Sequence, residues 1–193
     1  MNKSKTFVVL LLAILCLGLV CFPRAFSQIV NPNVKILSYS WYLDMSGDFI
    51  VVGELQNDGN SILQTVTVNA TAIDSNGALL AGNFAMAYVS DLNVTQKAPF
   101  FIDIGQANAG GDNWGSTVSS VEFSVFNTIS TTNYQYSGLA NNIGFNGTLN
   151  GPYTVIGFVK NIGNQTANNV NVVGTFYNNL GTVVAVGFDK LNG

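Results

Sequence analysis

The chain contains no histidine, and its only two cysteines, Cys16 and Cys21, lie close to the amino terminus. Zinc sites and His-dependent catalytic triads need these residue types, so the usual forms of both are excluded from the rest of the chain. Charged residues are also scarce, at 9% of the sequence. Beyond residue 27, four lysines against ten acidic residues give a net charge of −6. With no basic patch to neutralise phosphates, nucleic acid and anionic membrane surfaces are unfavourable partners.

The first 27 residues have the features of an export signal. Lys3 and Lys5 precede an apolar run over residues 6–22, and a small-x-small pattern that ends at Ser27 fits signal cleavage. The alternative is an uncleaved membrane anchor, because the run is slightly long for a signal and short for a span. Both interpretations predict an exported chain, extracellular or at the cell surface. The cleaved chain would rely on packing rather than on disulfides.

What the sequence does contain is an internal repeat. The segment that begins at Val51 returns at Val155, and the register holds without a gap as far as Phe84 and Phe188. A fixed internal period indicates that the chain is built from copies of one unit. Each copy alternates apolar and polar residues with period two, and turns rich in Gly and Asn interrupt the alternation. This pattern predicts a strand-turn-strand-turn-strand unit, used twice.

The alternation also assigns residues to the two faces of the predicted strands. Gly53 and Gly157 fall on the inward face, where a glycine within a strand indicates close approach of a bulky neighbour. Glu54 and Lys160 fall on the opposite face, which we expect to be exposed to solvent.

Three segments carry a family resemblance. They are VGELQNDGN at 52–60, KAPF at 97–100 and TFYNNLG at 175–181. Together they resemble the FxLYD-type domains of exported bacterial and archaeal proteins, and the Asn-x-Gly-Asn turns also resemble CARDB cell-adhesion-related domains. The resemblance covers residues 34–126 once and the first part of a second copy. It implies an immunoglobulin-like sandwich and supplies no catalytic residues.

The predicted fold class is all-β, with tandem immunoglobulin-like β-sandwich modules after an N-terminal signal segment. Residues 1–27 form the signal, 28–127 the first module, 128–152 a linker with one short strand around Tyr134, and 153–193 a second, truncated module. The second module would lack its last strands. Its core is then expected to stay open unless the chain continues or another chain adds a strand.

Candidate sites built from carboxylates are few. Asp44 and Asp48 are the closest pair in sequence, and we interpret them as solvated turn residues, since a glycosidase pair needs a cleft and a raised pKa. Asp103 and Asp112 could supply oxygen ligands to calcium, although they lack the spacing of a calcium loop. We predict no other metal site and no cofactor.

The loop over residues 105–117 contains the one candidate ligand-stacking residue, Trp114. Its ring could stack on a sugar, or it could cover the open end of the sandwich. Four acceptor sequons would be available for glycosylation in an exported chain. Their asparagines are Asn69, Asn93, Asn146 and Asn164.

The sequence therefore predicts a non-enzymatic secreted or cell-surface β-sandwich protein with a structural, adhesion or protein-interaction role. The alternative is a carbohydrate-binding accessory module that uses the 105–117 loop. An enzyme is the weakest class, because no nucleophile-base pair or metal cluster can be assembled. We expect the partner to be a protein or glycan at the cell surface, with a strand-pairing partner for the second module. Membrane contact is expected only through an uncleaved N-terminal segment.

Overall fold

The computed structural model describes residues 33–107, 113–126, 128–146 and 154–191. The predicted signal segment lies outside these ranges. The regular structure within them is β-strand, apart from one short 3₁₀ helix, and the all-β prediction is confirmed. The strands are β1 (Val34–Leu43), β2 (Asp48–Asn57), β3 (Ile62–Gln64), β4 (Thr67–Asp74), β5 (Leu79–Met86), β6 (Asp91–Leu92), β7 (Lys97–Gln106), β8 (Val118–Phe126), β9 (Ile129–Thr131), β10 (Leu139–Asn146), β11 (Thr154–Asn161), β12 (Asn171–Tyr177) and β13 (Val183–Lys190). The 3₁₀ helix covers Trp114–Thr117.

Two three-stranded antiparallel sheets share the main apolar core. One has the order β1-β2-β7 and the other the order β5-β4-β8. Leu55 and Phe100 from the first sheet and Val68 and Phe123 from the second belong to one buried cluster. The sheets therefore pack face to face in a sandwich-like arrangement. A third, smaller sheet has the order β6-β3-β9.

The segment predicted as a linker differs from expectation. The short strand predicted around Tyr134 is absent, and the structure has β9 before that residue and β10 after it. β10 pairs with β11 from Leu139 opposite Asn161 to Asn146 opposite Thr154. β10 was not predicted from the sequence, because its Asn and Gly residues are typical of turns.

β10 is the counterpart of β1, so the repeat begins earlier than the sequence indicates. Ser38 lies opposite Glu54 in β1-β2, and Asn142 lies opposite Phe158 in β10-β11. Each pair occupies the same repeat position. The second repeat therefore contains counterparts of β1, β2, β4 and β5.

The turns of the two repeats match at the level of single hydrogen bonds. The Asn57 side chain accepts the backbone N–H of Gly59 at 3.0 Å, and the Asn161 side chain accepts that of Gly163 at 3.1 Å. After the next strand, one carboxylate oxygen of Asp74 accepts two backbone N–H groups. The side-chain oxygen of Asn178 does the same in the second repeat. These side chains replace missing backbone partners, which is why the same turn follows from similar residues.

The second repeat is built from two separate hairpins, β10-β11 and β12-β13. A cleft of about 810 Å³ is lined by apolar residues of both hairpins, including Val155, Val172 and Phe176. In the described part of the chain, β11 and β12 each pair with one strand, whereas β2 and β4 each pair with two. The inward row of the second repeat therefore faces this cleft instead of a closed core.

The two inward glycines have different environments for that reason. A Cβ atom placed on Gly53 would lie 2.8 Å from Cε1 of Phe100 and 2.9 Å from the carbonyl oxygen of Ser38. The predicted close neighbour of Gly53 is confirmed. Gly157 instead lines the cleft and is exposed, so the same prediction is wrong there. Phe100 comes from β7, a strand that pairs with β2 but has no described counterpart beside β11.

Candidate interaction surface between the two repeats

The outer face of β2 is covered by β13 of the second repeat. Ile50, Val52 and Val183 are each at most 3% exposed and form a second buried cluster, with Phe101 and Val186 packed against it. Between residues 139 and 191, Val183 is the one buried residue among the described side chains. Among these described side chains, the most buried point is therefore the contact with the first repeat.

The backbone of Val183 is held by two serines of β1. Its N–H donates to Oγ of Ser38 at 3.2 Å, and its carbonyl oxygen accepts a hydrogen bond from Oγ of Ser40 at 2.7 Å. Ser38 and Ser40 are two residues apart on a strand, so both side chains lie on the same face of the sheet. Because both polar groups of Val183 have partners, its burial leaves no backbone group unsatisfied.

Glu54 forms the polar part of the same contact. It is only 5% exposed, so the prediction that it faces solvent is wrong. Its carboxylate lies 3.1 Å from Nζ of Lys97 and accepts a hydrogen bond from the hydroxyl of Tyr177, on β12. A buried carboxylate is tolerated when a cation and a hydrogen-bond donor satisfy it. Lys160, which the alternation places on the matching face, is exposed as predicted.

The hydroxyl of Tyr177 reflects this environment in its pKa. Burial raises the pKa of Tyr177, and the hydrogen bond and negative charge of Glu54 raise it further, to about 12. Burial disfavours the charged phenolate. A carboxylate that accepts a hydrogen bond from the hydroxyl stabilises the neutral, protonated form. An aromatic contact adds to the junction, since the rings of Tyr88 and Phe188 stack with centroids 4.9 Å apart. The Tyr177 hydroxyl therefore stays protonated to a higher pH than an ordinary tyrosine, and it donates its hydrogen bond between the repeats.

This surface was not predicted from the sequence, although the sequence contains one indication that the outer face of β2 is covered. The outward residues Ile50 and Val52 are apolar, so the stretch 49–52 is continuously apolar instead of strictly alternating. Such a run is typical of a strand that is buried on both faces. Nothing in the local pattern identifies the covering residue as Val183.

Asp44 and Asp48 are used within a turn and at a strand end. The carboxylate of Asp44 accepts the backbone N–H groups of Ser46 at 2.8 Å and Asp48 at 2.9 Å. The carboxylate of Asp48 accepts a hydrogen bond from Nε2 of Gln106 at 2.7 Å. Both acidic groups therefore stabilise local structure.

The calcium prediction is supported by no ligand cluster in the described residues. Asp112 lies outside them. The carboxylate of Asp103 accepts the backbone N–H of Gly105 at 2.8 Å, where Gly105 has a positive φ of 106°. In the described ranges, no group of three or more His, Cys, Asp or Glu residues could hold a metal ion. Asp103 thus has a local structural use in a glycine-containing turn.

Trp114 lies against the core of the first repeat. Its indole N–H donates to the carbonyl oxygen of Gln106 at 3.1 Å, and its ring is 5.3 Å from that of Phe49. The side chain is half-buried and packs on the main cluster. Residues 108–112 of the loop lie outside the described residues. This geometry gives the indole a packing role and commits its only donor within the protein.

The four sequons differ in the accessibility of their asparagines. Asn69 and Asn93 are half-buried, and Asn69 donates a hydrogen bond to Oγ1 of Thr71 at 3.2 Å. The side chain of Asn146 lies outside the described residues. Of the described sequon side chains, that of Asn164 is exposed. Asn164 is accordingly the most accessible acceptor among the three that are described.

Comparison with protein-family models, with curated proteins and with solved structures found no match. The resemblance to FxLYD and CARDB domains therefore stays a prediction. None of the helical structure in the described ranges has the length and apolarity to cross a membrane. The fold and the surface define an all-β protein with sandwich-like sheets, in which one repeat packs on the outer sheet face of the other.

Proposed function

We propose that this chain is a non-enzymatic exported protein, secreted or displayed at the cell surface, with a structural or adhesive role. In this proposal its units are tandem immunoglobulin-like β-sandwich modules. The proposal rests on one observation: Val183, the one buried residue among the described side chains of the second repeat, is buried against the first. A contact of this kind joins neighbouring modules into one unit, an arrangement that suits a protein that spans a distance or presents a surface.

The polar groups at this contact support the same interpretation. Glu54 and Tyr177 satisfy each other, and Ser38 and Ser40 satisfy the backbone of Val183. Catalysis requires a titratable group or nucleophile left available in a cleft. The chemistry-bearing side chains at this contact serve packing instead.

The composition supports the exported location. The basic and apolar start of the chain is typical of an export signal, and the remainder is acidic and rich in Asn, Ser, Thr and Gly. Net negative charge favours solubility and disfavours binding to nucleic acid or anionic membranes. The class of partner that we propose is a protein or glycan at the cell surface.

Labelling of intact source cells tests the proposal. Antibody fragments raised against the purified chain should bind intact cells, and the tightest-binding fragments should reduce cell attachment or disturb the cell surface. Fragments against a cytoplasmic protein serve as the control. Labelling that appears only after the cells are lysed would overturn the exported location and, with it, the proposed role.

A further inference from the structure

The contact between the repeats joins two unlike surfaces. The first repeat contributes a sheet face, made by β1 and β2, and the second contributes a hairpin, β12-β13. We call these the acceptor face and the donor hairpin. Because the chain is a repeat, a second acceptor face exists on β10-β11 and a second donor hairpin exists on β4-β5. Among the residues that the structure describes, neither takes part in the internal contact.

The second acceptor face is apolar and exposed. Ile156 is 59% exposed and occupies the repeat position of Val52, which is fully buried. Phe158 is 79% exposed and occupies the position of Glu54. Ile156 lies opposite Gly144 and Phe158 lies opposite Asn142. The first repeat has the same pairing, with Val52 opposite Ser40 and Glu54 opposite Ser38. The face that is covered in the first repeat is thus open in the second.

The second donor hairpin presents the matching residue. Leu79 is 71% exposed and occupies the position of Val183. Leu79 pairs with Ile73 across the hairpin, as Val183 pairs with Tyr177. The same residue position is therefore the buried centre of one contact and an exposed leucine in the other hairpin.

The polar pair of the internal contact is replaced by apolar residues in the other copy of each surface. The internal contact pairs Glu54 with Tyr177. The corresponding residues are Phe158 and Ile73, both apolar; Ile73 is already buried within its own chain at 7% exposed, so of the two only Phe158 is available to a second copy. A phenylalanine needs no cation. In the described ranges β10 is the only strand paired with β11, so no counterpart of β7 is present to supply an equivalent of Lys97.

Size is complementary as well. Leu79 is larger than Val183, and Gly144 occupies the position of Ser40, so the face has more room there but has no counterpart of the hydrogen bond that Ser40 donates. The nearest atom to a Cβ placed on Gly144 is the carbonyl oxygen of Ile156 at 3.7 Å, so the face is open at this point. Asn142, at the position of Ser38, is exposed and can donate or accept a hydrogen bond.

From these correspondences we propose that the donor hairpin β4-β5 of one chain docks on the acceptor face β10-β11 of a second copy. This inference deepens the proposed structural role and rests on it. Each chain carries one free donor and one free acceptor, so the contact is heterologous. Such contacts build rings when the rotation closes and filaments when it does not.

Sedimentation velocity of the purified chain over a range of concentrations tests the proposal. The parent should form dimers and longer assemblies as its concentration rises. Leu79→Asp removes the donor and Ile156→Asp removes the acceptor, and each should weaken self-association by about tenfold or more. Met45→Asp is the matched control, because Met45 is 106% exposed and lies outside both surfaces. Leu79 and Ile156 are exposed, so folding should be retained, which circular dichroism checks.

A mixing experiment tests the direction of the contact. Each variant keeps one intact surface, so Leu79→Asp and Ile156→Asp together should form one-to-one dimers and nothing longer. A mixture that stays monomeric overturns the head-to-tail contact. So does a parent that stays monomeric throughout, or whose association is unchanged by either variant or equally reduced by Met45→Asp. Surface labelling of cells does not depend on self-association, so the two proposals can fail separately.

Discussion

Val183→Ala is the substitution that most directly tests the packing of the second repeat on the first. Val183 is fully buried beside Ile50 and Val52, and alanine removes two of its carbon atoms. Each buried carbon contributes about 0.8 kcal/mol. The cavity left behind adds to this loss because the surroundings relax only in part. We therefore expect the free energy of unfolding to fall by about 2–3 kcal/mol.

Urea denaturation followed by far-ultraviolet circular dichroism measures this change. Val184→Ala is the matched control, because the neighbouring valine is 40% exposed and should lose about 0.5 kcal/mol or less. Neither substitution removes the hydrogen bonds of the Val183 backbone, which donates to Oγ of Ser38 and accepts from Oγ of Ser40. The comparison therefore isolates side-chain burial between the repeats. Equal losses for Val183→Ala and Val184→Ala would refute the packing of β13 on β2.

Three further outcomes are expected. Gly53→Val should cost about 1–3 kcal/mol by overpacking against Phe100, whereas Gly157→Val, which faces the cleft, should stay within about 0.5 kcal/mol; equal denaturation midpoints would contradict this difference. Folding raises the pKa of Tyr177 from 10.0 to about 12, so its contribution to stability is complete below pH 10 and is lost as the pH rises through 12. Tyr177→Phe should reduce the fall in melting temperature between pH 10 and pH 12. A fall equal to that of the parent would argue against this contribution. Trp114→Ala should destabilise the first repeat by about 2–4 kcal/mol and leave glycan-array signals unchanged, because the indole packs on the core. Loss of glycan binding with intact stability would support the carbohydrate-binding alternative instead.

Local features of the sequence determined the strands, the turns and the repeat. The turn at Asp74 and the matching turn at Asn178 depend on side chains that bond to backbone groups a few residues away. Strand parity places both Gly53 and Gly157 on the inward face, but the close approach at Gly53 depends on Phe100 of β7, which has no described counterpart at Gly157. The sequence did not predict β10, because its residues are typical of turns. Its strand conformation depends on pairing with β11.

Only the tertiary structure decided what lies on the outer face of β2. Strand parity assigns Glu54 to a face, but it carries no information about which distant segment covers that face. The covering residues, Val183 and Tyr177, come from the second repeat, more than a hundred positions along the chain. The burial of Glu54, the raised pKa of Tyr177 and the use of Ser38 and Ser40 all depend on that long-range contact. A pattern read along one strand is local, whereas burial is a property of the packed chain.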